Sequence, residues 1–479
     1  MSFSKDGISN EEIVVSRSRE LERQTSYTDS KHDVVVEDVE KEPAALKTEE
    51  PVYDVFGKDE EHSIRYKTMS WVKCGVVMIA ETIALGVLSL PSVLLTVGMV
   101  PGIILIIGLG VIATYTGYNL GLFRLNHPTV CNMADAGEVL WGPFGKYLLG
   151  AGQVIFLVFV CASHCLTGAI AMNTLTDSAT CKVVWSMATG VVAFFLTLPR
   201  TLERMSYLCF VSAASILTSV FITIIGTGVE SAPNGAPPNP DIIVKSFKNP
   251  SFYSAFSAVT DIIFAYAGHL AFFNFISEMK NPREYPKSLY LLQAVDITVY
   301  TLAGALVYKF TGQYTLSPSI SSMNITLRKV TYGIAIPTIL VAGVINGHVA
   351  AKFIFTRIFR GSRHLHEHTF IGWGTWIGLC AIAWIIAWII SEVIPVFDDL
   401  LGLVASLFAS QFTYGLSGYF WLFDNYGKWR KRPILTVINA VVFGLGLTIL
   451  GLGMYSSVKS IIISYQTGKA STPFSCSSK

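Results

Sequence analysis

Long apolar stretches, separated by short polar turns, recur along this chain beyond residue 66. A helix needs about 20 apolar residues to cross a bilayer. By that measure the pattern predicts spans at 70–96, 100–123, 147–174, 182–198, 206–229, 253–277, 289–312, 333–356, 370–391, 397–421 and 434–456. The fourth is short, and the tenth opens on Asp398 and Asp399. The expected fold class is all-α, a polytopic membrane protein of eleven transmembrane helices. Between spans, residues 230–252 are rich in Pro, Gly and Asn and predict an irregular loop. Residues 124–146 carry Asp135, Glu138 and several glycines, and predict a short amphipathic helix at the interface.

Two spans break the apolar pattern in the same way. The first carries Glu81 near its middle, then Gly86 and Pro91. The sixth carries Asp261, then the helix-weakening Ala267-Gly268-His269. A carboxylate deep in a span is costly and marks a functional site by default. Unwound backbone survives at membrane depth only where it lines a cavity or is buried in protein. Interrupted spans five apart are what a 5+5 inverted repeat plus one extra helix would produce, with the binding site where the breaks meet. The start of a half-helix leaves N–H donors for a carboxylate, and the end of the other half leaves carbonyls for an ammonium group. That chemistry suits a zwitterion. The residues placed to supply it are Ala84, Leu85, Gly86 and Val87 with Phe264, Tyr266, Ala267 and Gly268. The competing reading is that both glycines are small packing residues, which membrane bundles also favour.

Composition supports membrane residence. The 479 residues are 52% hydrophobic and only 14% charged, with mean hydropathy +0.51, whereas soluble domains carry about 25% charged residues. The net charge of +2 hides an asymmetry. Residues 1–66 hold 17 acidic and 9 basic side chains, and the rest holds 16 acidic and 26 basic. The acidic segment is poor in aromatics and reads as a disordered tail. It lacks the basic-then-apolar opening of a cleavable signal peptide. The domains expected are this cytoplasmic tail (1–66), a transmembrane transporter domain (67–457) and an extracellular C-terminal tail (458–479). Lys5, Lys31, Lys41, Lys47 and Lys58 in the N-terminal tail are candidate ubiquitin acceptors for a ligase or endocytic adaptor, the alternative being plain solvation. With the N-terminus inside, inner segments hold 17 of the 26 basic residues beyond the tail, as the positive-inside rule requires. Eleven spans then leave the C-terminus outside. The sequon Asn324-Ile325-Thr326 falls outside and is a glycosylation candidate. Of eight cysteines only Cys181 and Cys476 fall outside, where an oxidising environment would pair them. Two free thiols are the alternative. No basic run interleaved with aromatics points to nucleic acid.

Asn346 in the eighth span faces either the cavity or a neighbouring helix. Glu81, Asp261 and Asp296 are the acids deepest in spans. Burial disfavours their charged form, which makes them candidates to carry a proton. Glu81 ranks first, being about one turn from the proposed break, and Asp261 second. Asp296 is expected near the inner end of its span. Hydrogen bonding to a neighbouring helix is the alternative for all three. His164, His269 and His348 have no spacing of a metal site and read as satisfied polar residues. No Ser-His-Asp set, phosphate-binding loop or CxxC pair supports enzymatic chemistry, and no cofactor is expected beyond the coupling proton.

The chain resembles the amino acid/auxin permease family. The resemblance rests on ETIALGVLSLP (81–91), FAYAGHLAFFNFISEMKNP (264–282), YGIAIPTILVAGVINGH (332–348) and IAWIIAWIISEVIPVFDDLLGLVASLFAS (382–410), along most of residues 68–476. It implies eleven spans, a leucine-transporter-like inverted repeat, and proton-driven uptake of neutral aliphatic and aromatic amino acids at the plasma membrane. Some relatives use sodium, held by carbonyls of the first span and hydroxyls of the eighth. Here the eighth offers Thr338 and Thr356 only at its ends, with Asn346 and His348 between, which favours protons. Vacuolar relatives make a vacuolar exporter one alternative. An amino-acid-sensing receptor that does not transport is another.

Overall fold

A computed structural model describes residues 69–200, 205–360, 362–365 and 367–476. The expected tail domain and its five lysines lie outside the described residues. The first span is a broken pair. Ser70 caps α1 (Trp71–Thr82), taking the Lys73 N–H, and the helix ends at Ile83, whose ψ of 81° is not helical. A 3-10 turn (Gly86–Leu88) leads into α2 (Leu90–Val97), and the two pieces are bent by 49°. Gly98 then turns the chain with φ 97° into α3 (Met99–Asn126).

Asn132 caps α4 (Met133–Leu175) through the amides of Ala134 and Asp135. This helix kinks where Gly142 adopts φ 63° just before Pro143. The segment ahead of the kink is the short helix expected before the third span. Next come α5 (Lys182–Thr197) and α6 (Met205–Val229). Residues 230–251 form no regular element, but Met99, Val100 and Lys248 tie them to the α2–α3 corner by backbone hydrogen bonds.

The sixth span is α7 (Phe252–Ala265) and α8 (His269–Glu278). It is followed by α9 (Tyr285–Thr311), α10 (Ile325–Ile358) and α11 (Phe370–Val393). The tenth span opens as α12 (Phe397–Val404), widens to π-helical turns at Ala405–Gly415 and closes as α13 (Leu416–Asp424). The last runs from α14 (Pro433–Thr448) through a π-helical turn to α15 (Met454–Gln466), so residue 457 falls inside a helix.

Nine described helices are long and apolar enough to cross a membrane, ten with the bent pair, and α5 is a shorter apolar helix of 16 residues. Large apolar side chains such as Ile104, Val111, Phe221, Ile225, Ile382 and Val441 point outward, as lipid-facing surfaces require. Inside, α10 packs on α4 and α6, α11 on α4, and α9 on α1 and α3.

One placement corrects the sequence. Asp296 is wholly buried, with neither carboxylate oxygen hydrogen-bonded, rather than near an interface. Hydropathy set the start of its span at 289, whereas α9 begins at Tyr285 and carries Asp296 three turns inward.

On one end of the bundle Cys181 and Cys476 are joined, Cα–Cα 5.1 Å. The same end carries Asn324, which caps α10 by accepting the Leu327 N–H, and a Lys329–Asp177 ion pair of 2.5 Å.

Candidate substrate cavity

The two breaks face each other. A Cβ on Gly86 would lie 2.6 Å from the Ala265 Cα, so the backbones touch where only glycine allows it. A Cβ on Gly268 would lie 2.5 Å from Thr82 Oγ1 and 3.4 Å from Glu81 Oε2. The breaks are unequal. In the first the Ala84 N–H turns back to the Thr82 carbonyl, and the helical ladder resumes with Leu88 bonding to Leu85. In the second the ladder only tightens, through Ala267 to Phe264 and Gly268 to Tyr266, and Phe252–Glu278 still counts as one span.

Tyr300 on α9 joins them. Its hydroxyl lies 3.1 Å from the Thr82 carbonyl and 2.8 Å from the Ala265 carbonyl, the last residues of the two leading half-helices. A helix end leaves such carbonyls without intrahelical partners, so one phenol serves both.

Between the breaks lies a cavity of about 50 Å³, room for a few water-sized groups. Glu81, Thr82, Ala84, Leu85 and Gly86 form one wall, and Phe264, Ala267 and Gly268 the next. From α4 come Phe156, Val160, Ser163 and His164, and from α10 comes Asn346. Seven of the nine residues expected to meet substrate thus line the cavity. Val87 and Tyr266 do not: Val87 is buried in the 3-10 turn, and the Tyr266 hydroxyl donates to the Ile106 carbonyl at 3.0 Å.

Glu81 sits at the cavity with Oε2 enclosed and without a hydrogen-bond partner among the described residues. Asp261 lies elsewhere. It is buried beside Gly402, within electrostatic reach of Asp398, Asp399 and Lys469. The two candidate acids therefore occupy separate environments. Asn346 faces the cavity while its Nδ2 donates to the Ala342 carbonyl at 2.8 Å, which resolves its orientation. The histidines divide. His269 bonds Thr116 and the Ala113 carbonyl, and His348 stands edge-on to Trp376. His164 is half satisfied, with Nδ1 2.8 Å from the Ile339 carbonyl, yet it lines the cavity.

Sequence reasoning did not single out Tyr300, Phe156, Val160 or Ser163, and read His164 only as a satisfied polar residue. The contacts of Tyr300 and His164 reach across 35 to 218 residues, for which the local pattern carries no signal.

Broken helices that meet around a cavity inside an apolar bundle define a membrane carrier rather than an enzyme. The fold agrees with that of Mhp1, a nucleobase-cation-symport-1 family transporter solved closed with bromovinylhydantoin bound. The TM-score is 0.51 at 14% identity, covering 84% of this chain and 94% of that one. The chain belongs to the transmembrane amino acid transporter protein family, whose sequence profile matches residues 67–458. It is 35% identical to the N amino acid transport system protein of Neurospora crassa, over 89% of this chain and 92% of that relative. A transmembrane transporter of Gibberella moniliformis is 28% identical over 94% of this chain and 96% of its own length.

Proposed function

We propose that this chain is a secondary active symporter that imports neutral aliphatic and aromatic amino acids with protons across the plasma membrane. The observation that carries the reading is the juxtaposition of the two breaks around a cavity that holds Glu81. Peptide groups of Ala84, Leu85, Gly86 and Val87 receive the substrate carboxylate. Carbonyls around Phe264, Tyr266, Ala267 and Gly268 receive its ammonium group, and Asn346 completes the site. Glu81 takes the coupling proton, with Asp261 the second candidate. Protons are favoured over sodium because Thr338 and Thr356, the eighth-span hydroxyls weighed as sodium ligands, do not line the cavity, whereas Asn346 does. The N-terminus is then cytoplasmic. The Cys181–Cys476 pair and the glycosylation candidate Asn324 share the outer face, a placement that the Lys329–Asp177 pair supports.

The test is uptake of labelled neutral amino acids in cells that lack their own permeases. We expect accumulation against a gradient, collapsed by a protonophore. Glu81→Gln is expected to retain exchange but to lose pH-driven accumulation by tenfold or more. Accumulation that survives the protonophore would remove the proton. Saturable binding by purified protein in liposomes without transport would favour a receptor.

A further inference from the structure

The α4 side of the cavity has a fixed hydrogen-bonding polarity. A carbonyl only accepts, so the 2.8 Å contact between His164 Nδ1 and the Ile339 carbonyl puts the proton of the neutral ring on Nδ1. Nε2, at the far edge of the ring, is then a bare acceptor on a residue that lines the cavity. The ring cannot swing away: a Cβ on Gly343 would sit 3.0 Å from both His164 Cβ and Cγ, so α10 lies directly against its base. Ser163 beside it gives its hydroxyl proton to the Val160 carbonyl at 2.7 Å. Asn346 across the gap has one amide proton committed to Ala342. Both cavity-facing polar residues of α4 have thus given their protons to backbone, and what they still offer to a solute is lone pairs.

This wall comes from elements other than those that break. Glu81 and the half-helix ends lie on α1 and α7, whereas His164 lies on α4, packed against α10. An amino acid held by its ammonium and carboxylate groups at the breaks presents its side chain to that wall. Phe156 and Val160 make the rest of it apolar. We infer that His164 Nε2 is a specificity determinant that accepts a hydrogen bond from the side chain of the substrate, favouring neutral side chains with a hydroxyl or amide N–H over apolar ones of equal shape. The inference rests on the amino acid reading above and deepens it. Leaving a buried acceptor unpaired is what discriminates against the apolar analogue.

The test uses pairs of equal shape: threonine against valine, and glutamine against methionine, as competitors of labelled uptake. In the unaltered protein threonine should compete about fivefold or more better than valine, and glutamine likewise against methionine. His164→Leu should abolish or invert both ratios, read as the quotient of competition within each pair at whatever uptake the variant retains. His164→Gln, which retains an acceptor, should restore part of the preference. Valine competing as well as threonine in the unaltered protein would overturn the inference, whatever the variants do. So would His164→Leu transporting with unchanged ratios. If no amino acid accumulates at all, the transport reading fails by itself. Thermal stabilisation of purified protein by threonine against valine then still reads the site, with equal shifts overturning the inference.

Discussion

At the scale of single residues, the site depends on two glycines that are not equivalent. A methyl group on Gly86 would meet the Ala265 backbone at 2.6 Å, and backbone at two breaks packed against each other cannot withdraw. On Gly268 the nearest atom is the Thr82 hydroxyl at 2.5 Å, which lies at the end of a side chain and can turn aside. Overpacking of a rigid site costs about 1–3 kcal/mol. Gly86→Ala should therefore abolish uptake and lower the melting temperature, while Gly268→Ala should chiefly raise KM. Surface-labelled uptake assays alongside melting curves in detergent check the order. Equal effects from both substitutions would mean that the breaks are not held together by this contact. The same scale shows why some site residues were legible and others were not. Glu81, Gly86 and Gly268 contradict an apolar helix, so they stand out in the sequence itself. Tyr300 and His164 look like ordinary span residues. Only tertiary contacts reveal that one serves two helix ends and the other lines the cavity.

Elements were more legible than their joints. Spans announce themselves because every backbone polar group in lipid must bond within its own helix. The predicted ranges fall on helices, interrupted in the first span between Thr82 and Gly86 and in the sixth between Ala265 and His269. Extensions beyond the apolar core were not readable, as at α4, α9 and α15, since a helix that leaves the bilayer no longer needs apolar residues. Nor were the π-helical turns at 405–415, which depend on packing against the last span. One joint carries a prediction. Met69, just before α1, forms an isolated parallel bridge with Met279, just after α8. The Met69 N–H donates to the Glu278 carbonyl at 3.1 Å, and the Lys280 N–H to the Met69 carbonyl at 2.9 Å. The clamp ties together the ends of both broken spans and lies beside the buried Cys74. Met69→Pro removes the first donor, a loss of about 1 kcal/mol and so about fivefold in the population of the opened end. Alkylation of Cys74, followed by mass spectrometry at that residue, should accelerate by about that factor. An unchanged rate would show that the clamp does not close this end.

Across the whole molecule, the halves expected from the inverted repeat interlock rather than sit side by side. From the first half, α4 and α6 bury themselves against α10 of the second, and α1 lies against α9. The disulfide adds a covalent tie, with Cys181 in the first half and Cys476 near the other end of the chain. The loop that joins the halves is exposed at Pro237 and Pro238. If the bundle holds itself together, cutting that loop should not stop it working. A site-specific protease sequence inserted between Pro237 and Pro238 should be cleaved when enzyme is added to intact cells, because the loop shares its face with the disulfide: the Asn234 N–H donates to the Ser322 carbonyl at 2.8 Å, in the segment that leads to Asn324. Without reductant the cut protein should migrate as one species, and with reductant as two. Uptake should persist after cleavage, since the cut leaves intact the packing, the hydrogen bonds and the disulfide that join the halves. Each outcome reads a different claim. Resistance to external protease would reverse the orientation, two bands without reductant would deny the Cys181–Cys476 bond, and loss of uptake on cutting would mean that the loop itself, and not the packed core, holds the two broken helices in register.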